Sequence, residues 1–143
     1  MKYTEFLKTQ TKCPFCYGLK ERILIENEKA FLTYAQAPYH KYHLLVVPKR
    51  HLENMVALTW DENICITALI TKAIKDLDSI GYKDCTLLAR DGQALAKSVM
   101  HLHYHIIPGG DIQDISIDPE MRKLLTDSEE NSLREELKKI TIS

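Results

Sequence analysis

Residues 101–110 read HLHYHIIPGG and place three of the chain's six histidines at every second position before a Pro-Gly-Gly stop. Side chains on a strand alternate between faces, so residues two apart stand on one side, roughly 6 to 7 Å from each other. The spacing predicts a strand over 98–107, with His101, His103 and His105 along one face. Val99, Leu102, Tyr104 and Ile106 supply apolar packing, mostly on the other face. A solvated strand face would mix Ser, Thr, Lys and Glu. A row of imidazoles points instead to metal ligation, or to a nucleophile with its supports.

The surrounding chain supplies a sheet for that strand. HLLVVP (43–48) is a strand ending on proline, and RILIENEKAFLTY (22–34) holds two β-prone runs split by a polar turn, which predicts a hairpin. CTLLAR (85–90) is a further strand, followed by a turn at Asp91-Gly92. TWDE (59–62) is a capping box; behind it Ile66, Leu69, Ile70, Ala73 and Leu77 fall on one helical face, and Gly81 supplies the stop. A last helix carries Leu133, Leu137 and Ile140 behind Thr126 and Ser128. Strands dominate and regular helices do not separate them. The expected fold class is therefore α+β: an antiparallel sheet of about five strands, a main helix and a C-terminal helix. One domain over 1–143 is expected, with an N-terminal segment at 1–20 and a C-terminal loop and helix at 109–143.

Composition narrows the function classes. The formal net charge is −1 and no segment is uniformly basic, so no nucleic-acid partner is expected. No apolar run approaches the ~20 residues that span a bilayer. MKYTEFLKTQTK at the start lacks the apolar centre of a signal peptide, and the expectation is a cytoplasmic protein with no membrane partner. Cys65 and Cys85 stand alone in apolar surroundings and read as small core residues. Cys13 and Cys16, in KCPFCYG, form a Cys-x-x-Cys knuckle. A structural disulfide is disfavoured in a reducing compartment, and a thioredoxin-like role lacks its βαβ setting, so metal is the favoured reading. Zinc takes four N and S ligands. His51, in VVPKRHLEN, closely follows a strand, and His101 opens the imidazole row. A Cys13, Cys16, His51, His101 set makes a closed, structural Zn2+ site. His103 and His105 then remain for chemistry, and a neutral imidazole is a capable nucleophile toward phosphorus.

Taken together these stretches resemble the histidine-triad (HIT) superfamily. HLHYHII fits its His-φ-His-φ-His-φ-φ signature, and CPFC resembles the zinc knuckle of bacterial members. HLLVVPKRHLENM is similar to their His-x-Leu-Val-φ-Pro-Lys-x-His strand and loop, and DGQALAKSVMHLHYHIIPGG to the segment leading into the triad. The resemblance implies a small α+β domain, paired into a homodimer by the main helix and an adjoining strand. It implies hydrolysis or transfer at the α-phosphate of nucleotide conjugates, such as dinucleoside polyphosphates or nucleoside phosphoramidates. By motif position His103 is the nucleophile that forms a covalent nucleotidyl intermediate. His105 holds phosphate oxygens, Ser98 donates to them, and Cys13, Cys16, His51 and His101 match the zinc ligands of that branch.

Three departures bear on substrate. Ala96-Lys97-Ser98 stands where many members have Gly-Gln before Ser or Thr, so Lys97 is either a replacement cation for phosphate or simply solvated. Thr33 stands where an acid commonly binds ribose, and Arg90 where an Asn precedes the glycine. They motivate an alternative: a nucleotide-binding or protein-interaction module with little or no catalysis. A third reading gives all three imidazoles to a catalytic metal. His43 is expected as a satisfied histidine behind the triad, and His40 and Tyr42 as surface residues. Trp60 is expected as a helix anchor or interface residue, and SEENSLREELKK as a solvated helix face.

Overall fold

The computed structural model describes residues 1–8, 12–17, 20–92, 101–109 and 122–141. Its centre is a five-stranded antiparallel sheet in the order β1-β2-β3-β5-β4. The strands are β1 (Ile25–Glu26), β2 (Ala30–Tyr34), β3 (Leu44–Pro48), β4 (Cys85–Ala89) and β5 (Tyr104–Pro108). Among the described residues three α-helices accompany them: α1 (Tyr3–Lys8), α2 (Trp60–Ser79) and the C-terminal helix α3 (Asp127–Thr141). The α+β class and the five strands are those expected from the sequence.

The period-two pattern sorts the sheet into two faces. Leu32, Tyr34, Leu44, Val46, Tyr104 and Ile106 join Ile66, Leu69, Ala73 and Leu77 of α2 and Leu133 and Leu137 of α3 in the main core. Each such side chain, fully buried, contributes about 1.5–3 kcal/mol before entropy is counted. The second face carries Phe31, Leu45 and Val47, covered by Phe15 and Ile23. His105 lies opposite Leu45 on β3 and Leu88 on β4, so it belongs to this second face.

Two strands are shorter than the sequence suggests, for identifiable reasons. Arg22 ends a 3-10 turn (Lys20–Arg22), and its carbonyl accepts the Thr33 hydroxyl at 2.7 Å instead of a ladder bond. β1 is therefore only two residues long. Of the fifth strand, expected over 98–107, positions 98–100 lie outside the described residues; within the rest the ladder begins at Tyr104, where β4 ends at Ala89 opposite it and β3 pairs through Leu44–Val46. His101 and His103 thus precede the ladder. Leu102 is held by a different partner, donating its N–H to the Leu52 carbonyl at 2.6 Å. The alternation survives outside the ladder: Leu102 joins Tyr104 and Ile106 in the main core, whereas Phe15 packs on both His101 and His103.

Local signals account for the helices. Thr59 and Glu62 form the reciprocal capping box of α2, and Gly81, at φ 105°, takes the left-handed conformation beyond its end. Glu62 is 3% exposed and also binds Arg50, Oε1 to Nη2 at 2.7 Å, which ties the residue before His51 to the start of the main helix. That guanidinium, with Thr59, holds the Glu62 carboxyl down at about 2. At α3, Thr126 and Glu129 form a second capping box, and Ser128 falls inside the first turn. Tyr42 is not a surface residue: it is buried in the main core with its hydroxyl on Glu136 of α3. Trp60, 80% exposed, does not anchor its helix. No helix among the described residues is long and apolar enough to cross a membrane.

Candidate active site and metal centre

Four ligand atoms converge from three parts of the chain. Cys13 and Cys16 sit on a tight turn in which the Cys16 and Tyr17 N–H groups both reach the Cys13 carbonyl at 3.2 Å. His51 comes from the loop after β3, and His101 from the segment leading into β5. The ligand atoms of all four lie within 4.8 Å of one another. His101 Nδ1 is 3.4 Å from Cys13 Sγ, 3.5 Å from Cys16 Sγ and 3.1 Å from His51 Nδ1; Cys16 Sγ is 3.3 Å from His51 Nδ1. A tetrahedral zinc with bonds of about 2.3 Å to sulfur and 2.0–2.1 Å to nitrogen has S···N edges of about 3.6 Å and N···N edges of about 3.3 Å. The set fits such an ion.

The surrounding atoms support the same reading. The Pro48 carbonyl, which can only accept, lies 2.8 Å from His101 Nε2. That nitrogen therefore carries the hydrogen, and the lone pair is on Nδ1, toward the thiols. This is the orientation a ligating imidazole needs from its outer partner. Desolvation, then the neighbouring Cys13, push the Cys16 thiol up to about 11. The protein alone does not favour a thiolate there; a bound cation reverses that balance.

The next imidazole has a different environment. His103 Nδ1 is 2.7 Å from the carbonyl of His101, so Nδ1 is the protonated nitrogen and Nε2 bears the lone pair. Phe15 packs against this ring at 5.1 Å between centroids and against His101 at 5.7 Å. One aromatic, set between the two cysteines, thus separates the metal centre from the nucleophile candidate.

His105 is oriented by a relay. The Tyr39 N–H donates to His43 Nδ1 at 3.2 Å, so a neutral His43 carries its hydrogen on Nε2. That N–H faces His105 Nδ1 at 2.8 Å, which leaves a neutral His105 with its own hydrogen on Nε2. Burial first, then Arg122 and neighbouring histidines, hold His43 down at about 3. Burial and His103 hold His105 well below the usual imidazole range. Both rings are therefore neutral near pH 7. His43, expected as a satisfied histidine, has this orienting role.

His103 and His105 line one cleft on the second face of the sheet. Phe15, Arg22, Thr33, Gln36 and Arg122 also line it, as do Tyr3 and Phe6 of α1. Among these only Thr33 attracted attention in the sequence, and its hydroxyl is engaged with the Arg22 carbonyl. The aromatics of α1 and Arg122 come from the two ends of the chain and carry no local motif. Lys97 and Ser98, expected beside the phosphate, lie outside the described residues.

An antiparallel α+β fold with three alternate imidazoles, one in a Cys2His2 cluster and two in a cleft, defines a histidine-triad architecture. The chain belongs to the HIT family: the model of the HIT domain matches residues 18–112. It is 33% identical over 100 residues to the adenosine 5'-monophosphoramidase of Schizosaccharomyces pombe, covering 67% of this chain and 73% of that protein. A hypothetical histidine triad nucleotide-binding protein from Sulfolobus tokodaii superposes with a TM-score of 0.72 at 25% identity, over 91% of this chain and 92% of that one. A zinc-bound histidine triad family protein from Mycobacterium smegmatis shares the fold, with a TM-score of 0.60 at 16% identity over 96% and 93% of the two chains.

The buried histidines make a pH prediction. The unfolded chain protonates them near the ordinary value of about 6.5, whereas folded His43 resists protonation down to about 3. Their contribution to stability is complete above the unfolded value and is lost as pH falls from there toward the folded one. Each group adds a slope of up to about 1.4 kcal/mol per pH unit in that window. Denaturant unfolding between pH 7 and 4 should therefore show a shallower pH dependence for His43→Asn than for the wild type. Parallel curves would show that His43 is not held neutral.

Proposed function

We propose that this chain is a cytoplasmic, single-domain nucleotidyl hydrolase or transferase that cleaves nucleotide conjugates at the α-phosphate through His103, with a structural zinc and a homodimeric assembly. The observation that carries this reading is the 2.7 Å bond from His103 Nδ1 to the His101 carbonyl, which puts the lone pair of the neutral ring on Nε2 in a cleft that His105 also lines. The phosphoramidase name of the fission-yeast relative supports the substrate class.

The chemistry follows from those atoms. His103 Nε2 attacks the α-phosphorus; a P–N bond forms, and the leaving group departs with the pair from its own bond and takes up a proton from solvent. The imidazole becomes cationic, and the His101 carbonyl stabilises the Nδ1–H as its acidity rises. His105 presents a fixed N–H to a phosphoryl oxygen, as Ser98 and Lys97 do in this proposal. Such pre-placed donors are where phosphoryl-transfer enzymes gain most of their rate. Water or another acceptor then attacks the same phosphorus, the P–N bond breaks, and the electron pair returns to Nε2. With one imidazole in the metal centre, the reading in which all three bind a catalytic metal is not supported.

Cys13, Cys16, His51 and His101 would hold zinc, whose contribution is to lock the knuckle and Phe15 against the triad segment. For the dimer, Val56, in the 3-10 turn before α2, and Trp60 and Ile64, in its first turns, are exposed. Leu87, also exposed, stands on the same side of the sheet, since its partner Ile106 faces the helices. Exposed apolar side chains on α2 and on edge strand β4 are the kind of surface that association covers.

Native and denaturing mass spectrometry after brief incubation with adenosine phosphoramidate and diadenosine polyphosphates tests the proposal. The expected species is a dimer with one zinc per chain and a nucleotidyl adduct that survives denaturation. His103→Ala should lose the adduct and at least about 10³-fold of turnover while keeping zinc and nearly all thermal stability. Cys13→Ser should lose zinc and melt well below His103→Ala, because binding at such a site is coupled to folding. Nucleotide binding with neither adduct nor turnover, in a zinc-loaded dimer, would favour the non-catalytic module.

A further inference from the structure

We propose that Arg122 is a specificity residue of the cleft: it binds a phosphate of the leaving group, and so favours conjugates with an anionic leaving group over those with an uncharged one. The inference rests on the hydrolase reading above for its substrate and on separate observations for the residue.

Arg122 is a cation held in place by a neutral acceptor and two aromatic rings. Its guanidinium lies between two aromatic rings, 4.7 Å from the centroid of Tyr3 and 4.2 Å from that of Tyr39. Its Nε donates to the Ala37 carbonyl at 3.1 Å, and Nη2 donates to the same oxygen. A neutral carbonyl orients the group and leaves its charge intact. Three other arginines are paired: Arg22 with Glu130, Arg50 with Glu62 and Arg134 with Glu21. Among the described residues no carboxylate lies within ion-pair reach of Arg122.

Its place in the cleft gives that charge a use. Arg122 lines the same cavity as His103 and His105. Its field also depresses protonation of His43 and His105, which puts the charge close to the reacting end. A pre-oriented guanidinium at the rim of a cleft, with no carboxylate on it among the described residues, is a ready partner for an anion. Its planar fork matches phosphate oxygens, and because stacking has already restricted it, little rotamer entropy is left to lose on binding. The chain's ends build this feature: Tyr3 N–H donates to the Arg122 carbonyl at 3.1 Å, and Lys2 bridges to Lys123. A leaving group with its own phosphate supplies the missing anion; an amine or alkyl leaving group does not.

Two probes separate this role from simple support of the fold. In calorimetry, ADP should bind the wild type at least about tenfold more tightly than AMP, its β-phosphate standing for the first phosphate of the leaving group. Arg122→Gln should reduce that ratio to about twofold or less, and Arg122→Lys should restore part of it. Equal affinities in the wild type, or an unchanged ratio in Arg122→Gln, would overturn the proposal. In turnover, Arg122→Gln should lower kcat/KM for diadenosine triphosphate by about tenfold to a hundredfold, and for adenosine phosphoramidate by less than about threefold. Equal losses on both substrates would mark a structural role and overturn it. An ADP preference that depends on Arg122, in a protein that turns over neither substrate, would count against the hydrolase reading and support the anion site.

Discussion

Two ring N–H groups on one short segment donate to backbone carbonyls, and the organisation of the site depends on them. His101 gives its Nε2–H to Pro48, and His103 gives its Nδ1–H to His101. Each bond selects a tautomer and so decides which nitrogen keeps a lone pair. The first lone pair faces the thiols of Cys13 and Cys16; the second is on Nε2 of a ring that lines the cleft. Under the proposed function, alternate imidazoles of one type thereby take a ligand's role and a nucleophile's role, with Phe15 packed against both rings. The third, His105, is set the opposite way: through His43 and the Tyr39 amide it becomes a donor. Acceptor beside donor is the arrangement that a phosphorus electrophile with anionic oxygens requires.

The fold makes those bonds obligatory. β3 ends at Pro48, whose carbonyl is the one His101 meets, and Pro-Lys-Arg-His51 continues directly from it. Arg50 is fastened to Glu62 at the cap of α2, so the loop bearing His51 is tied to the main helix within one residue. On the other side, Leu102, Tyr104 and Ile106 are anchored in the main core. Rotating the segment to re-aim its imidazoles would expose those apolar side chains, each costing about 1.5–3 kcal/mol. The hydrophobic core therefore acts as the jig for the polar face.

Much of this was legible in the chain because it follows a short period or a residue-type rule. Alternation by two placed the imidazoles on one face, TWDE marked the start of α2, and zinc's preference for sulfur and nitrogen grouped Cys13, Cys16, His51 and His101. What escaped depends on partners far away in sequence. The ladder of β5 begins at Tyr104, opposite the end of β4, which no pattern inside residues 98–107 encodes. Tyr42 looked like a loop residue, yet it is drawn into the core by Glu136, 94 positions on. Arg122 meets Ala37 across 85 positions, and Tyr3 joins it from the opposite end of the chain. Thr126 with Glu129 repeated the capping-box spacing already recognised at Thr59, so that signal was present and unused. Lys97 and Ser98 stay as the motif left them.

The central claim concerns one proton on one ring. Nitrogen-15 NMR of the imidazoles in the resting protein, assigned through a His103→Gln comparison, reads it directly. The account predicts a neutral His103 locked with hydrogen on Nδ1 and the lone pair on Nε2. A resting His103 protonated on Nε2, or cationic at neutral pH, would contradict it.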